Sequence, residues 1–462
     1  MSNAKLSARD RIYRLLDENS FVEIGSLVTK RNTDFNLASE TAPSDGVITG
    51  YGTIDGSLVY VYSQDSSVLN GTIGEMHARK IASLYDLAVK VGSPVISLID
   101  CAGLRLQEAT DALAAFGDVF SSQVAASGII PQISAVFGMC GGGSAVSASL
   151  ADFTFMTDKN SSLFINSANT IDGNYKEKLD TGSAKFQAEN GNVDFVCENE
   201  EDVLDGIREL ISVLPLNNSE CARFETEDDL NRATSAFEAE AVDPKVALTD
   251  ISDDNLFIEV KKDYAKEMVT GFISLNGITV GAVANRVAVL GEDGKVAEKL
   301  DDKLTANGLR KACEFVNFCD SFNIPILTIT NSTGFKADLC NEKRIAKEAA
   351  SLTFAFANAS VAKINLVCGN AFGSAYIIMN SKHIGADMVF AVESAKIGMM
   401  DSKVVANILC EKEEEKAAFA QNYDETHQTA VAAAKRGFVD SIISADSVRQ
   451  NLCYAFDMLS TK

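Results

Sequence analysis

A glycine-rich turn is the part of this 462-residue sequence best suited to hold a reacting oxyanion. Gly138-Met-Cys-Gly-Gly-Gly143 follows an apolar segment, and the small residues after it predict a helix. Glycine allows close approach of the backbone and positive φ angles. The first N–H groups of a helix are unpaired and lie at the positive end of its dipole. The turn therefore predicts backbone donors for an oxyanion or a phosphate.

Two alternative roles for this turn stay open on the residues alone. Glycines also let a helix pack closely against a strand without any ligand. Cys140 or Ser144 could instead attack an acyl group, but such a nucleophile needs a base, and no histidine occupies a comparable strand end in the same copy. The turn after the preceding apolar strand, Cys101-Ala-Gly-Leu104, could add further donors.

Motifs that bind nucleotides or metals are absent from the sequence. It has neither a GxGxxG fingerprint nor a GxxxxGK segment, which disfavours a dinucleotide site and an ATP-consuming step. Its three histidines, His77, His383 and His427, share no metal-ligand spacing, so we predict no metal on this chain. We interpret His383, in a Ser-Lys-His-Ile turn, as a structural residue.

Composition and charge are those of an ordinary globular protein. The 64 acidic residues outnumber the 41 basic ones, and a net charge of −23 disfavours nucleic acid as a partner. Ten cysteines occur without any CxxC pair, which is typical of reduced thiols in the cytosol. No apolar run reaches about 18 residues, and the first residues lack the apolar core of a signal peptide. We therefore expect a cytoplasmic protein.

The chain repeats one α/β pattern. The segment 94–103 matches 325–334 at an offset of 231 residues, and the same offset places Gly142-Gly143-Ser144-Ala145 on Gly373-Ser374-Ala375-Tyr376. Each copy has the order helix, apolar strand, glycine turn, helix, second apolar strand, glycine turn, helix. Hairpins with turns at Asp55-Gly56 and Asn276-Gly277 precede the two copies. We infer a tandem duplication.

The apolar strands are short and separated by helices, which predicts a mainly parallel sheet buried on both faces in each copy. The predicted strands are 94–99, 133–137, 324–329 and 364–367, and the predicted helices are 75–91, 111–127, 305–322, 341–358 and 426–436. After the last of these we predict a turn at 438–440, a final helix beyond Ser444, and a structural role for Lys435 and Arg436 beside the helix dipole. We predict domains at 1–220 and 240–462, with an acidic surface linker at about 215–246.

With these features together, the chain resembles the carboxyltransferase subunit of biotin-dependent acyl-CoA carboxylases, above all the propionyl-CoA carboxylase β-type. The α subunits of glutaconyl-CoA and methylmalonyl-CoA decarboxylases look equally similar. The resemblance runs almost end to end. It is carried by the segments 6–12, 45–54, 63–65, 128–134, 319–325, 379–387 and 436–440.

The resemblance implies an α/β fold of two crotonase-type (ClpP/crotonase-like) domains and a site in each. The N-terminal domain would hold the acyl-CoA, with the N–H groups of Gly142 and Gly143 on the thioester oxygen of an enolate. The C-terminal domain would hold carboxybiotin, with the N–H groups of Ser374 and Ala375 on the ureido oxygen. The remaining substrate-binding residues that it implies are Ala102, Gly103, Leu104, Cys140, Gly141, Gly334, Phe335, Gly373 and Ile377.

In the reaction that this family carries out, CO2 leaves N1 of biotin, the nitrogen anion takes the α-proton of the acyl-CoA, and the enolate attacks CO2. This needs no side-chain base, which fits the shortage of histidine. The chain has neither a Met-Lys-Met biotinylation site nor an ATP-grasp segment. The implied partners are therefore a separate biotin carboxyl carrier protein, a biotin carboxylase or a membrane decarboxylase subunit, and further copies of this chain as a dimer or hexamer.

The chain departs from the family pattern at several turns. Where Ser-Gly-Gly-Ala-Arg is usual, it has Cys101-Ala-Gly-Leu-Arg105, and where Tyr-Gly-Gly-Ala-Tyr is usual, it has Phe372-Gly-Ser-Ala-Tyr376. The usual Pro-Gly-Phe is Thr333-Gly-Phe335, and Ile377 replaces a frequent aspartate. The sequence leaves the acyl chain and the direction of transfer open.

Two alternative functions remain. One is a biotin-independent crotonase-type hydrolase or hydratase, for which Glu108 is the nearby acid/base candidate in the first copy. The other is a non-catalytic scaffold of a carboxylase complex.

Overall fold

The computed structural model describes residues 5–33, 41–291, 293–460 and 462, which fall into two compact units, Met1–Cys221 and Ala222–Lys462. The strands of the first unit are β1 Val22–Ile24, β2 Val47–Ile54, β3 Ser57–Gln64, β4 Val95–Cys101, β5 Gln132–Gly141, β6 Phe153–Thr157, β7 Ser162–Phe164 and β8 Phe195–Cys197. Its helices are α1 Ala8–Leu15, α2 Glu75–Val91, α3 Ala109–Ala126, α4 Gly143–Ser149, α5 Asn174–Glu177, α6 Ala184–Glu189 and α7 Glu200–Val213.

The second unit contains twelve further strands within the described residues. They are β9 Ile258–Val260, β10 Met268–Leu275, β11 Ile278–Asn285, β12 Ala288–Leu290, β13 Val296–Lys299, β14 Lys303–Leu304, β15 Ile326–Ser332, β16 Gly334–Phe335, β17 Lys363–Phe372, β18 Met388–Val392, β19 Lys396–Gly398 and β20 Ser441–Ile443. Its helices are α8 Phe237–Glu240, α9 Pro244–Ile251, α10 Ala306–Ser321, α11 Leu339–Glu342, α12 Ile345–Asn358, α13 Gly373–Ile378, α14 Ser402–Leu409, α15 Glu413–Tyr423, α16 Ala430–Ala434 and α17 Val448–Met458.

Both units contain the same mixed sheet, which confirms the predicted duplication. In the first unit the strand order is β1-β2-β3-β4-β5-β6-β8, with β7 beside the end of β5. In the second it is β9-β10-β11-β15-β17-β18-β20, with β19 beside the end of β17. The first three strands of each sheet pair antiparallel, and every later pairing is parallel.

The hairpin turn in each unit is built in the same way. Asn276 and Gly277 have φ angles of 53° and 73°, and the corresponding Asp55 and Gly56 have 49° and 81°, as two-residue turns of type I′ require. In the second unit Asp253 accepts both turn N–H groups, from Asn276 at 3.1 Å and from Gly277 at 2.7 Å. The repeat therefore extends to the polar contacts that end the strands.

Asp17 does the same in the first unit, with 3.0 Å bonds from the N–H groups of Asp55 and Gly56. In each unit an arginine also donates to this aspartate, Arg208 to Asp17 and Arg449 to Asp253.

The central strands are buried on both faces, as their apolar composition predicts. Every residue of β4 is buried. Its Val95 and Ile99 join a core with α2 and α3, while Ile96 and Leu98 lie outside that core, on the opposite face of the sheet. Helix α7 also packs against this sheet, where it contacts β5 and β6. The turns at the ends of β4 and β5 are therefore backed by a sheet that is packed on both faces.

The predicted linker and domain boundary differ from the structure. The second unit begins at Ala222 rather than at residue 240, and Phe224 donates its N–H to the carbonyl of Gly277 at 2.7 Å. Phe237 is fully buried in the core of this unit. The acidic composition concealed these contacts, because the segment is attached by backbone bonds and by a few buried side chains, Phe237 and Thr234 among them.

The predicted helix 426–436 is also wrong at its start. Thr429 is extended, with φ −72° and ψ 153°, and its hydroxyl accepts the N–H of Ala432 as the cap of α16. A short π-helix, Asp424–Gln428, precedes it. The strand β20 was missed because its three residues follow the turn directly and gain their order from pairing with β18.

Candidate functional site

In the first unit, the ends of β4 and β5 bring the predicted turns together. Cys101 is in register with Cys140 after an irregularity in the β4–β5 ladder. A methyl group at Gly103 would lie 3.8 Å from the carbonyl oxygen of Gly141. The two segments that the sequence analysis named as donors therefore form one continuous backbone surface.

The N–H group of Gly142 is already occupied. Gly142 has φ 59° and donates to the carbonyl of Phe164 at 2.9 Å, which extends the β5–β7 ladder by one bond. Gly143 is the first residue of α4, and within the described residues no backbone or side-chain acceptor faces its N–H. The structure therefore corrects the predicted pair of donors, because the Gly142 N–H belongs to the sheet and that of Gly143 remains available.

Gly143 also has little room for a side chain. A Cβ atom there would lie 3.1 Å from the ring of Phe116. Beside it, a Cβ at Gly141 would lie 3.0 Å from the ring of Phe164. Two aromatic rings thus line the glycine turn, and a larger residue at either position would require the ring beside it to shift by a few tenths of an ångström.

The turn at the end of β4 is held by its own backbone. The N–H of Ala102 donates to Asn70 at 3.2 Å, and the carbonyl of Gly103 accepts from Ile73 at 2.9 Å. Leu104 forms a parallel bridge with the same Ile73. The predicted binding residues Ala102, Gly103 and Leu104 therefore shape the site, and Ala102 does so with an exposed side chain.

The two candidate nucleophiles, Cys140 and Ser144, are placed as structural groups. Ser144 donates its hydroxyl to the sulfur of Cys101 at 3.2 Å, and the N–H of Gly103 approaches the same sulfur at 3.3 Å. Burial raises the pKa of Cys140 far above that of an ordinary thiol. A thiol with a raised pKa is a poor source of thiolate, so this geometry does not support nucleophilic catalysis.

The acid/base candidate of the first unit lies in a buried ion cluster. Arg105 binds the carboxylates of Asp45 and Glu108, and the second oxygen of Glu108 accepts the N–H of Glu75 at 2.7 Å. All three clustered side chains are buried. Because its oxygens are committed to Arg105 and to the first N–H of α2, Glu108 lacks the freedom of a proton-transferring group.

His77 is part of the same cluster. Its ring contacts the carbonyl of Asp45 at 2.9 Å and the amide of Gln64 at 3.2 Å. Burial, with a smaller contribution from the charge of Arg105, lowers the pKa of His77 to about 3. His77 is therefore a neutral structural histidine at physiological pH.

The second unit repeats the glycine turn. Gly373 has φ 61°, within a few degrees of Gly142 at the same position of the repeat. Ser332 and Ala371 are in register, as Cys101 and Cys140 are in the first unit. Ser374 is not among the residues with positive φ, so its backbone conformation suits serine as well as glycine.

The backbone donors of this second turn are free within the described part of the chain. Ser374 and Ala375 are in the first turn of α13, and neither N–H has an acceptor there. Ser374 is exposed, whereas Ala375 is buried. Gly334 and Phe335, also predicted for this site, form β16 and pair with β14.

A cavity of 620 Å³ opens beside this turn, within the usual range for ligand sites. Of the predicted residues it contains Gly373, Ser374 and Ile377. Sequence reasoning missed three polar residues in its wall, His383, His427 and Arg436, which had been given structural roles or none. They are not adjacent in the sequence. The only feature that could have drawn attention to them is the rarity of histidine, since two of its three occurrences line this cavity.

The comparisons with known proteins now define the class. The carboxyl transferase domain matches residues 1–462, so the chain belongs to this family of biotin-dependent carboxyl transferases, whose fold is a duplicated crotonase-like fold. The chain is 36% identical to the propionyl-CoA carboxylase beta chain of Roseobacter denitrificans, over 99% of this chain and 91% of that protein. It is 37% identical to the methylmalonyl-CoA decarboxylase subunit alpha of Propionigenium modestum, over 100% and 91%.

A solved structure agrees with these relatives. Transcarboxylase 12S, a hexamer with hydrolysed methylmalonyl-CoA bound, superposes with a TM-score of 0.92 at 33% identity, over 99% of this chain and 90% of that one.

Membrane-spanning helices and metal clusters are both absent from the described residues. Among them, no helix is both long and apolar enough to cross a bilayer. The same part of the chain contains no group of three or more histidine, cysteine or acidic side chains arranged to hold a metal ion.

Proposed function

We propose that this carboxyl transferase moves a carboxyl group between biotin on a separate carrier protein and the α-carbon of an acyl-CoA. The N-terminal unit would bind the acyl-CoA and the C-terminal unit the biotin ring. The observation that carries this assignment is the repeated glycine turn, with φ near 60° at both Gly142 and Gly373 and free N–H groups after each. Two similar turns suit a reaction in which two carbonyl oxygens gain negative charge.

On the acyl-CoA side, the donor we propose is the N–H of Gly143. It would hold the thioester oxygen as the α-proton leaves and the enolate forms. The rings of Phe116 and Phe164 border the glycines there and would shield the developing charge from water. No side-chain base is proposed, because Glu108 is bound by Arg105 and His77 is buried.

On the biotin side, the residues present fit the ring. The N–H groups of Ser374 and Ala375 would polarise the ureido oxygen, and the cavity beside them has room for the bicyclic ring. When bound, the carboxylated ring supplies CO2 and then a nitrogen base for the α-proton, so that the carboxyl group and the proton exchange places.

The relatives support a substrate pair for the first assay. They are named for propionyl-CoA carboxylation and methylmalonyl-CoA decarboxylation, so propionyl-CoA and methylmalonyl-CoA, with acetyl-CoA and malonyl-CoA as the smaller pair, are the substrates to test. The transfer is reversible, and we leave its direction in the cell open. A carrier protein, a biotin carboxylase or membrane decarboxylase subunit, and further copies of this chain complete the proposal. The cytoplasmic location stays a prediction.

The test is carboxyl transfer to free biotin. Purified protein is incubated with methylmalonyl-CoA or malonyl-CoA, and loss of the carboxyl group is followed with and without biotin. Biotin-dependent decarboxylation is the expected result. Turnover that is independent of biotin would support the hydrolase or hydratase alternative, and CoA binding without turnover on a carrier-linked biotin would support the scaffold.

A further inference from the structure

The cavity of the second unit differs in charge from the rest of the molecule. The chain has 64 acidic and 41 basic residues, yet the wall of this cavity contains no aspartate or glutamate among the described residues. It contains Arg436, His383 and His427, and thus two of the three histidines in the chain. A lining of this kind favours a negatively charged ligand.

Arg436 is exposed to solvent and lacks the carboxylate partner that buried arginines of this chain have. Arg105 and Arg449, for example, bind carboxylates. Arg436 donates to the carbonyl of Ala432 at 2.6 Å and to Nδ1 of His427 at 3.4 Å, and within the described residues it has no carboxylate partner. Its remaining N–H groups are therefore available to a ligand.

His427 adds a second donor beside the guanidinium. Arginine cannot accept a hydrogen bond, so Nδ1 of His427 must accept, and the neutral ring then carries its proton on Nε2. The ring also packs against Tyr423, with centroids 5.0 Å apart. The two carboxylates of the same turn are engaged elsewhere, Asp424 with Lys396 at 2.6 Å and Glu425 with Gln421 at 3.0 Å.

From this juxtaposition we infer that Arg436, with His427 beside it, binds the carboxylate carried by the biotin ring. A guanidinium matches a planar carboxylate through two parallel hydrogen bonds. The pair would therefore make the cavity prefer the carboxylated ring over the uncharged ring. This inference rests on the proposed function, since it concerns the same cavity, but it names the chemical form that the site selects.

A binding experiment tests the inference without any turnover. Malonamate is a stable analogue of a carboxylated urea, and malonamide is its uncharged counterpart. Ligand-detected NMR titration of the intact protein should show at least fivefold tighter binding of malonamate. Arg436→Met should remove this preference, and Lys435→Met, which deletes a neighbouring positive charge outside the cavity wall, should keep it.

Arg436→Lys is the control for a folding defect in Arg436→Met, because it keeps the positive charge and loses only the planar pair of donors. It should retain part of the preference. Equal binding of malonamate and malonamide to the wild-type protein would overturn the inference. So would equal losses in the Arg436→Met and Lys435→Met variants, since these would indicate a general effect of charge.

A kinetic experiment separates this inference from the proposed function. Biotin methyl ester carries no carboxylate of its own, so its KM reports binding of the uncharged ring. In biotin-dependent decarboxylation, Arg436→Met should lower kcat at least tenfold and change KM for the ester less than threefold. An unchanged kcat contradicts the inference and leaves the function standing. A wild-type protein that binds malonamate through Arg436 but transfers no carboxyl group contradicts the function alone.

Discussion

At the scale of single residues, the proposed chemistry depends on backbone N–H groups and their neighbours. Gly142 and Gly143 are adjacent in sequence, yet one N–H completes a ladder with Phe164 and the other faces no acceptor among the described residues. The distinction comes from β7, whose last residue, Phe164, pairs with Gly141 and accepts the N–H of Gly142. Two neighbouring backbone N–H groups of this turn therefore differ in whether they can bind a substrate oxygen.

Removing the N–H of Gly143 should disable the enzyme. Gly143 is the first residue of a helix, where proline is tolerated, so Gly143→Pro deletes the donor in a position that accepts the ring. Loss of one oxyanion donor costs about 10²–10³ in kcat. Gly143→Ala is the control, because its Cβ meets Phe116 in the same way but the N–H remains.

We expect kcat for biotin-dependent decarboxylation to fall at least tenfold further in Gly143→Pro than in Gly143→Ala. Equal activity of the two variants, with both folded by circular dichroism, would exclude Gly143 as a donor.

His77 should make stability depend on pH. Burial keeps its pKa near 3 in the folded protein, while the unfolded chain titrates near 6.5. Between these values the unfolded state binds more protons, so the free energy of unfolding falls as the pH decreases from about 6.5 towards 3. The contribution of this histidine at pH 5.5 is a loss of about 1–2 kcal/mol relative to pH 8.

The measurement is urea unfolding of the wild-type protein and of His77→Gln at pH 5.5 and 8. The glutamine variant lacks this titration, so the stability gap between the two proteins should shift in its favour at pH 5.5. A gap that does not change with pH would show that His77 is protonated in the folded state.

At the scale of elements, the two duplicated hairpin turns differ in how tightly the surrounding chain packs against them. Gly56 and Gly277 occupy the same turn position with φ angles of 81° and 73°. A Cβ at Gly56 meets nothing within 4 Å, whereas a Cβ at Gly277 would lie 2.0 Å from the carbonyl oxygen of Phe224. The first hairpin ends in open space, and the second holds the segment that begins its unit.

This difference predicts unequal effects of one substitution. Gly56→Ala should cost about 1 kcal/mol, from the left-handed conformation alone. Gly277→Ala should cost at least about 1 kcal/mol more, because Phe224 must also move. Hydrogen exchange in urea, read separately on peptides of each unit, measures both losses. Equal losses of stability in the two variants would show that the 222–224 segment moves away from the new Cβ atom at no cost in free energy.

At the scale of the whole molecule, the two units share a fold but differ in their sites. Cys101 and Cys140 of the first unit correspond to Ser332 and Ala371 of the second, in the same register. The second unit has the 620 Å³ cavity beside its glycine turn, with a wall that contains Arg436 and two histidines. Different side chains on one duplicated backbone are what a reaction with two unlike substrates requires.

The proposed function also predicts the state of assembly. If each site needs units from two subunits, as the family resemblance implies, the purified protein should be an oligomer and active only as such. Light scattering coupled to size-exclusion chromatography should give a mass of two or six chains, and activity should follow that peak. A fully active monomer would contradict the shared site.

The sequence by itself determined the duplication, the class of fold and the family. Strand and helix periodicity, the turns at Asp55-Gly56 and Asn276-Gly277, and the bounds of α2 all follow from local patterns, because apolar spacing and turn residues act within a few positions. The boundary at Ala222 did not, since the acidic segment after it is attached by backbone bonds to the hairpin turn and by buried side chains such as Phe237.

Only the tertiary structure decided which groups of the site are available. The carbonyl of Phe164 accepts the N–H of Gly142, and Arg105 binds the carboxylate of Glu108. The first of these contacts forms only when β5 and β7 are side by side, and the second only when the buried ion cluster is assembled. The cavity wall likewise joins His427 and Arg436, nine residues apart, with His383 and Ser374 from earlier parts of the chain. Hydrogen-bond partnership and charge environment are properties of contacts, and a sequence specifies such contacts only through the fold it forms.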